Sequence, residues 1–107
     1  MDKKDVVEQV IGKVKKFAEL VRISIPATHI ILYGSYAKNT FREDSDIDVA
    51  VVVDEIKEDF LETAAKLYKL TRDIDDRIEP ILLDSAHDES GFLEQIMNEG
   101  KAIYEVI

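Results

Sequence analysis

The sequence predicts an α/β (α+β) fold in which a mixed sheet of three to four strands is covered by helices. Short apolar runs rich in β-branched residues alternate along the chain with segments whose apolar positions recur every three or four residues. One of these helical segments is long enough to cross over between two parallel strands. The 107 residues suit one domain, 1–107, and no Pro-, Gly- or Ser-rich stretch divides them.

Local sequence patterns predict the position of each helix and strand. Apolar spacing predicts the helices, and Lys13 and its neighbouring lysines should face mostly toward water. Pro80 cannot donate a hydrogen bond to a ladder, which places its strand at a sheet edge. The predicted elements are a helix over 5–21, strands over 28–34 and 46–54, a helix over 59–74, a strand over 77–84, a helix over 90–100 that stops at Gly100, and a candidate strand over 101–107.

Composition excludes several classes of function. There is no cysteine, which rules out disulfide scaffolds, thiolate zinc sites and thiol nucleophiles. The formal net charge of -9 disfavours direct nucleic-acid binding, because nucleic acids are polyanions. The N-terminal residues lack the apolar region of a signal peptide, and apolar runs fall far short of the ~18 residues of a membrane span. We therefore expect a cytoplasmic protein.

Two aspartates stand at the start of the second strand. Alternation places Asp46 and Asp48 on one face, with Cα atoms about 6.6 Å apart. Two neighbouring carboxylates repel each other unless a cation neutralises them, and hard oxygen ligands suit Mg²⁺. The tripeptide Asp73-Ile74-Asp75 repeats the pattern at the end of a predicted helix, where we interpret it as a solvated polar terminus.

A glycine-serine turn lies at the end of the first strand. If a helical turn begins at Ser35, its free backbone amides point at an anion, and Gly34 permits the tight turn. Phosphates held at Gly34 and Ser35, with a metal ion at Asp46 and Asp48, would form a site for a nucleoside triphosphate bound with Mg²⁺. On those two turn residues alone, an ordinary turn with a capping serine is the simpler interpretation.

The joint pattern, Gly-Ser followed by ten residues and then Asp-x-Asp, resembles the signature of the polymerase β-type nucleotidyltransferase superfamily. The segment GSYAKNTFREDSDIDVAVVV is similar to its smallest branch, the minimal nucleotidyltransferases that act as MntA-type antitoxins beside HEPN toxins. The similarity extends over essentially the whole chain. It implies a polymerase β-like nucleotidyltransferase fold.

The resemblance also implies a site and a reaction. A third acid on the strand after the crossover helix completes the metal site in this superfamily, and Glu79 matches it, although relatives often have aspartate there. Two Mg²⁺ ions and ATP as substrate are implied, with transfer of AMP to a tyrosine of a partner HEPN toxin. Lys38 or Arg42 could touch the triphosphate tail, and each could instead be a surface charge.

Other interpretations stay open at this stage. Glu79 could be an edge-strand charge that discourages aggregation. The protein could be a noncatalytic antitoxin that neutralises its partner by binding, or an aminoglycoside-type adenylyltransferase. Asn39 stands where relatives commonly have glycine and can adopt the left-handed conformation, and Ser45 is either a turn residue or a cap for Asp46. We interpret Tyr36, His29 and His87 as structural. The sequence leaves open whether the protein forms homo- or hetero-oligomers. It also leaves open whether Val21, Ile23 and Ile25 belong to the core or to an interface.

Overall fold

The computed structural model describes residues 2–57 and 59–106, which form a four-stranded sheet and four helices. This confirms the predicted α/β class. None of the helices in these two ranges is long and apolar enough to cross a membrane. The elements are α1 (Lys3–Ser24), β1 (His29–Tyr33), α2 (Ser35–Lys38), β2 (Ile47–Val53), α3 (Phe60–Thr71), β3 (Ile78–Asp84), α4 (Phe92–Glu99) and β4 (Lys101–Glu105).

The strands lie in the order β3-β2-β1-β4. β1 is antiparallel to both of its neighbours, whereas β2 and β3 are parallel and are joined through α3. The predicted crossover is therefore confirmed, and so is the edge position of the strand that contains Pro80. The residues after Gly100 form the fourth strand, at the opposite edge.

Alternation along β2 divides the core between the two faces of the sheet. Ile47, Val49, Val51 and Val53 pack on one face with residues of α1 and α3. The opposite face is smaller, and its buried residues are Ile31, Ala50, Val52, Leu93 and Ile96. β2 is thus buried on both faces, which makes it a rigid support for side chains at its beginning.

The crossover helix is shorter than predicted and buries a narrower stripe. It begins after Asp59, whose side chain accepts a hydrogen bond from the Glu62 amide at 3.0 Å, and it ends at Thr71 rather than at residue 74. Its buried residues are Thr63, Leu67 and Thr71, four residues apart. Tyr68, which shares the apolar spacing, has 47% of its surface exposed because α3 contacts the sheet along one line only.

The second Asp-x-Asp tripeptide does not behave as predicted. Its Asp75 carboxylate is only 7% exposed and accepts hydrogen bonds from Lys13 Nζ at 2.7 Å and Arg77 Nη2 at 2.8 Å. The prediction of a solvated terminus is wrong for Asp75, and the Lys13 side chain, 42% exposed, pairs its ammonium group with this aspartate. The turn after α3 brings Asp75 beside α1, where two cations offset the unfavourable burial of its charge.

The apolar residues at and after the end of α1 differ in burial. Val21 and Ile25 are buried in the core, whereas Ile23 is 84% exposed. Only Ile23 of the three is therefore on the surface.

Candidate active site

Three polar side chains form a row across the sheet. Tyr33 at the end of β1 pairs in register with Asp48 on β2, and Asp48 pairs in register with Glu79 on β3. Because paired residues of neighbouring strands project to the same face, the two carboxylates predicted from the sequence come from adjacent strands at the same level of the sheet. The fold brings Glu79 beside Asp48 although 30 residues separate them along the chain.

The two aspartates, Asp46 and Asp48, lie where β2 begins. Asp46 is exposed and immediately precedes β2, and Ile47 between the two is fully buried. The pKa of Asp48 is raised from its usual value, first because the carboxyl is partly buried and then because Asp46 and Glu79 repel its charge. The site therefore holds more negative charge than the protein alone compensates, and a bound cation would relieve that repulsion.

Gly34 is in direct contact with this charge. Its backbone has φ 76° and ψ -149°, a conformation that side chains disfavour. A Cβ atom at this position would lie 3.1 Å from Asp48 Cγ and would overlap the Asp48 carboxylate oxygen. The glycine is therefore required both by the turn and by the close approach of the backbone to Asp48, a reason the sequence did not reveal.

Residues 35–46 connect β1 to β2. Ser35 begins the predicted helical turn, a single turn that ends where Asn39 adopts the left-handed conformation at φ 61°. The Thr40 amide donates to the Ser35 carbonyl at 2.9 Å. Ser45 Oγ accepts a hydrogen bond from the Arg42 amide at 2.7 Å, so Ser45 is a turn residue. The tolerance of the left-handed conformation predicted for Asn39 is confirmed.

An arginine that the sequence analysis did not single out ties this loop to the sheet. Arg77 Nη1 donates to the Tyr36 hydroxyl at 3.1 Å and to the Glu43 carbonyl at 3.3 Å. The same guanidinium holds the pKa of Asp75 well below its usual range. Tyr36 itself is buried and stacked on Phe41, which confirms its structural role. The sequence signal was Asp75-x-Arg77, in which the aspartate accepts from the amide two residues later at 2.9 Å.

Glu79 has a partner that was also missed. Tyr68 Oη donates a hydrogen bond to Glu79 Oε2 at 2.9 Å, and this bond raises the pKa of Tyr68. The charge of Asp46 raises it further, which places Tyr68 within the field of the same acids. In residues 2–57 and 59–106, no three His, Cys, Asp or Glu side chains stand close enough together to hold a metal ion. Asp48 and Glu79 lie near the beginning of neighbouring strands, and Glu79 accepts its hydrogen bond from Tyr68.

The two basic candidates lie at the rim. Lys38 Nζ is 3.5 Å from Glu99 Oε2 of α4, with both side chains about half exposed, and Arg42 is exposed in the loop. His29 contacts Thr28 Oγ1 at 3.0 Å, and His87 lies 3.2 Å from Asp84. These histidine contacts agree with the structural roles predicted for both.

A family model described as polymerase beta, nucleotidyltransferase matches residues 15–106. The chain belongs to this family. The resemblance and the polymerase β-like fold inferred from the glycine-serine turn and the Asp46-x-Asp48 pattern are thereby confirmed. A search of curated protein sequences gives no significant match.

Solved structures of this nucleotidyltransferase fold include toxin–antitoxin complexes. A chain of a toxin–antitoxin complex with AMP-PNP is 28% identical, with a TM-score of 0.61 over 85% of this chain and 72% of that chain. A chain from the complex of the tri-AMPylated Shewanella oneidensis HEPN toxin with its MNT antitoxin is 25% identical, with a TM-score of 0.58 over 88% and 71%. A candidate nucleotidyltransferase from Sulfolobus solfataricus, 21% identical, shares the fold with a TM-score of 0.71 over 96% and 86%.

The chemistry of the donor set fits Mg²⁺. Asp46, Asp48 and Glu79 offer only carboxylate oxygens, and their mutual repulsion at Asp48 is what a divalent cation would remove. The Tyr68 hydroxyl engages only Oε2 of Glu79, so a rotation of this exposed, flexible side chain could bring Oε1 to the two aspartates and keep the bond to Tyr68.

Proposed function

We propose that this protein is a Mg²⁺-dependent nucleotidyltransferase that moves AMP from ATP to a hydroxyl group, and that the acceptor is a tyrosine of a partner HEPN toxin. The observation that carries the proposal is the in-register pairing of Asp48 with Glu79 beside a glycine whose Cβ position is filled by the Asp48 carboxylate. Gly34 and the two acids come from three different elements of the fold, which makes a chance association of turn and carboxylates a poor explanation.

The three carboxylates of Asp46, Asp48 and Glu79 would hold Mg²⁺. Bound there, Mg²⁺ would offset the negative charge of the phosphates and of the leaving pyrophosphate. The rigid β2 strand fixes the two aspartates, since Ile47 between them is fully buried. Glu79 would accept the proton of the attacking hydroxyl, and the hydrogen bond that it already accepts from the Tyr68 phenol supports this role.

The turn formed by Gly34 and Ser35 would bind the triphosphate. The first amides of a helical turn have no acceptor within the helix, and this turn begins directly after Gly34, whose Cβ position the Asp48 carboxylate fills. Such amides supply fixed donors for phosphate oxygens. Lys38 can add a positive charge at the rim if it leaves Glu99, an exposed ion pair of small energy.

The acceptor is proposed from the relatives. The Shewanella oneidensis complex contains an AMPylated HEPN toxin beside its MNT antitoxin, and the matching chain of that complex covers 88% of this chain. A net charge of -9 favours a partner with a basic surface, since complementary charge speeds encounter.

Transfer of labelled AMP tests the proposal. Purified protein is incubated with α-labelled ATP, Mg²⁺ and the HEPN protein encoded beside it, and the label is located by peptide mass spectrometry. We expect label on a tyrosine of that partner and none with Asp46→Asn or Asp48→Asn. Asp73→Asn, from the second Asp-x-Asp tripeptide and exposed, is the matched control and should retain full transfer.

The other interpretations predict different outcomes. Tight association with the partner and no label would support a noncatalytic antitoxin. Label on an aminoglycoside instead would support small-molecule adenylylation. Full transfer by both aspartate variants, with unchanged magnesium dependence, would refute the assignment of the site.

A further inference from the structure

Glu79, the proposed general base, already accepts a hydrogen bond from a tyrosine hydroxyl of the same chain. Tyr68 projects from α3, the crossover helix that leads to β3, and its Oη lies 2.9 Å from Glu79 Oε2. Tyr68 is 47% exposed, so its side chain is accessible from solvent. Tyrosine is also the chemical class of acceptor in the proposed reaction.

The other tyrosines are placed differently. Tyr36 is buried and its hydroxyl accepts from Arg77, and Tyr104 lies with its ring centroid 4.1 Å from the Arg22 guanidinium, away from the acids. Tyr33 is half-buried, pairs with Asp48 and packs edge-on against Phe92 with ring centroids 6.1 Å apart. Among the four, Tyr68 combines an exposed ring with a hydrogen bond to one of the three proposed site acids.

We propose that Tyr68 is an internal acceptor: in the absence of a partner, the protein transfers AMP from ATP to its own Tyr68 hydroxyl. The inference rests on the proposed function, because it uses the same acids and the same substrate. Tyr68 Oη forms a bond to the α-phosphorus, the bond from that phosphorus to the bridging oxygen breaks, and pyrophosphate leaves. The phenol proton passes to Glu79, and the product is a tyrosyl-AMP phosphodiester. No oxidant or further reactant is needed.

The packing of α3 supports a reaction within one molecule. Thr63, Leu67 and Thr71 fix this helix against the core, and Tyr68 directly follows Leu67, so the helix holds the backbone of Tyr68 in place. A partner tyrosine would have to displace the Tyr68 hydroxyl from Glu79 before it could react. Tyr68 and the partner hydroxyl therefore compete for one position, and Tyr68→Phe should modify the partner faster than the wild type does.

The test uses the purified full chain with ATP and Mg²⁺ and without any partner. We expect intact mass to increase by one AMP, peptide mapping to place it on Tyr68, and the fraction modified per unit time to be independent of protein concentration. Tyr68→Phe should abolish the adduct, and the matched control Tyr104→Phe should retain it. An adduct on another residue, or no adduct from a preparation that modifies its partner, would overturn the inference and leave the proposed function standing. No adduct on either protein would overturn both.

A second measurement needs no nucleotide. In protein labelled with ¹³C at the tyrosine ring, we expect Glu79→Gln to shift the Tyr68 ring-carbon resonance and to leave that of Tyr104 unchanged. An unchanged Tyr68 resonance would show that the hydroxyl is not held at Glu79 and would overturn the assignment of Tyr68 as internal acceptor.

Discussion

Replacing Gly34 with alanine tests the contact between the turn and the acids. The added Cβ would stand 3.1 Å from Asp48 Cγ, and the backbone at φ 76° and ψ -149° suits glycine alone. A residue forced into such a conformation costs about 1–3 kcal/mol, and displacement of Asp48 adds to it, so we expect Gly34→Ala to lower the free energy of unfolding by about 3 kcal/mol. Transfer of AMP should be lost, because the Asp48 carboxylate must move.

Gly91 provides a matched control. It has nearly the same φ, 75°, but at ψ 9°, and a Cβ there would meet no atom within 4 Å. Gly91→Ala should therefore lower the free energy of unfolding by only about 1 kcal/mol, the strain of a left-handed alanine.

Equilibrium unfolding in urea at neutral pH measures both variants. A double-mutant cycle with Asp48→Ala isolates the contact: in that background Gly34→Ala should lose about 1–2 kcal/mol less stability than it does in the wild type. Equal losses for the Gly34 and Gly91 variants, no coupling to Asp48, or retained transfer by Gly34→Ala would refute the reasoning.

Three further predictions concern charged groups. Asp75→Asn removes a nearly buried carboxylate bonded to two cations and should lower the free energy of unfolding at neutral pH by about 3 kcal/mol, measured by urea titration. The pKa of Asp75 is lowered in the folded protein, so its contribution is complete above pH about 4 and declines as the pH falls further; Asp75→Asn should remove that part of the acid sensitivity. The pKa of Asp48 is raised, so its ionised form disfavours the fold. Without divalent cations, Asp48→Asn should therefore melt at the same temperature as the wild type or higher. Mg²⁺ with ATP should raise the melting temperature of the wild type and should not raise that of Asp48→Asn. Lys38→Ala should raise the KM for ATP, whereas Glu99→Gln, which frees the lysine, should leave it unchanged or lower it.

Each of these has an outcome that would contradict it. An acid limb of stability that is identical in the wild type and Asp75→Asn would show that the ion pairs do not couple to folding. Equal Mg²⁺ stabilisation of the wild type and Asp48→Asn would remove Asp48 from the metal site. An unchanged KM in Lys38→Ala would assign Lys38 to its surface ion pair alone.

The local sequence pattern was sufficient to predict the strands and the pair Asp46 and Asp48. In β2, β-branched residues alternate with Asp48 and Ala50, and this period fixes which side chains share a face. The position of Glu79 followed from the family resemblance, and the register that pairs it with Asp48 is set by the parallel crossover, a contact between distant parts of the chain.

The residues that were missed depend on tertiary packing. Helical spacing grouped Tyr68 with the apolar positions of α3, but only the packing of that helix decides that its hydroxyl reaches Glu79. Asp73-Ile74-Asp75 is the same tripeptide as Asp46-Ile47-Asp48. What separates their roles is that α1 presents Lys13 to Asp75, and no local signal carries that information.

Magnesium-dependent nucleotide binding tests the central claim most directly. A nonhydrolysable ATP analogue is titrated calorimetrically into the wild type, the double variant Asp46→Asn/Asp48→Asn, and the Asp73→Asn control, with and without Mg²⁺. The account predicts that Mg²⁺ strengthens binding to the wild type and the control, and that this gain is absent from the double variant. The same magnesium-dependent gain in all three proteins would contradict it.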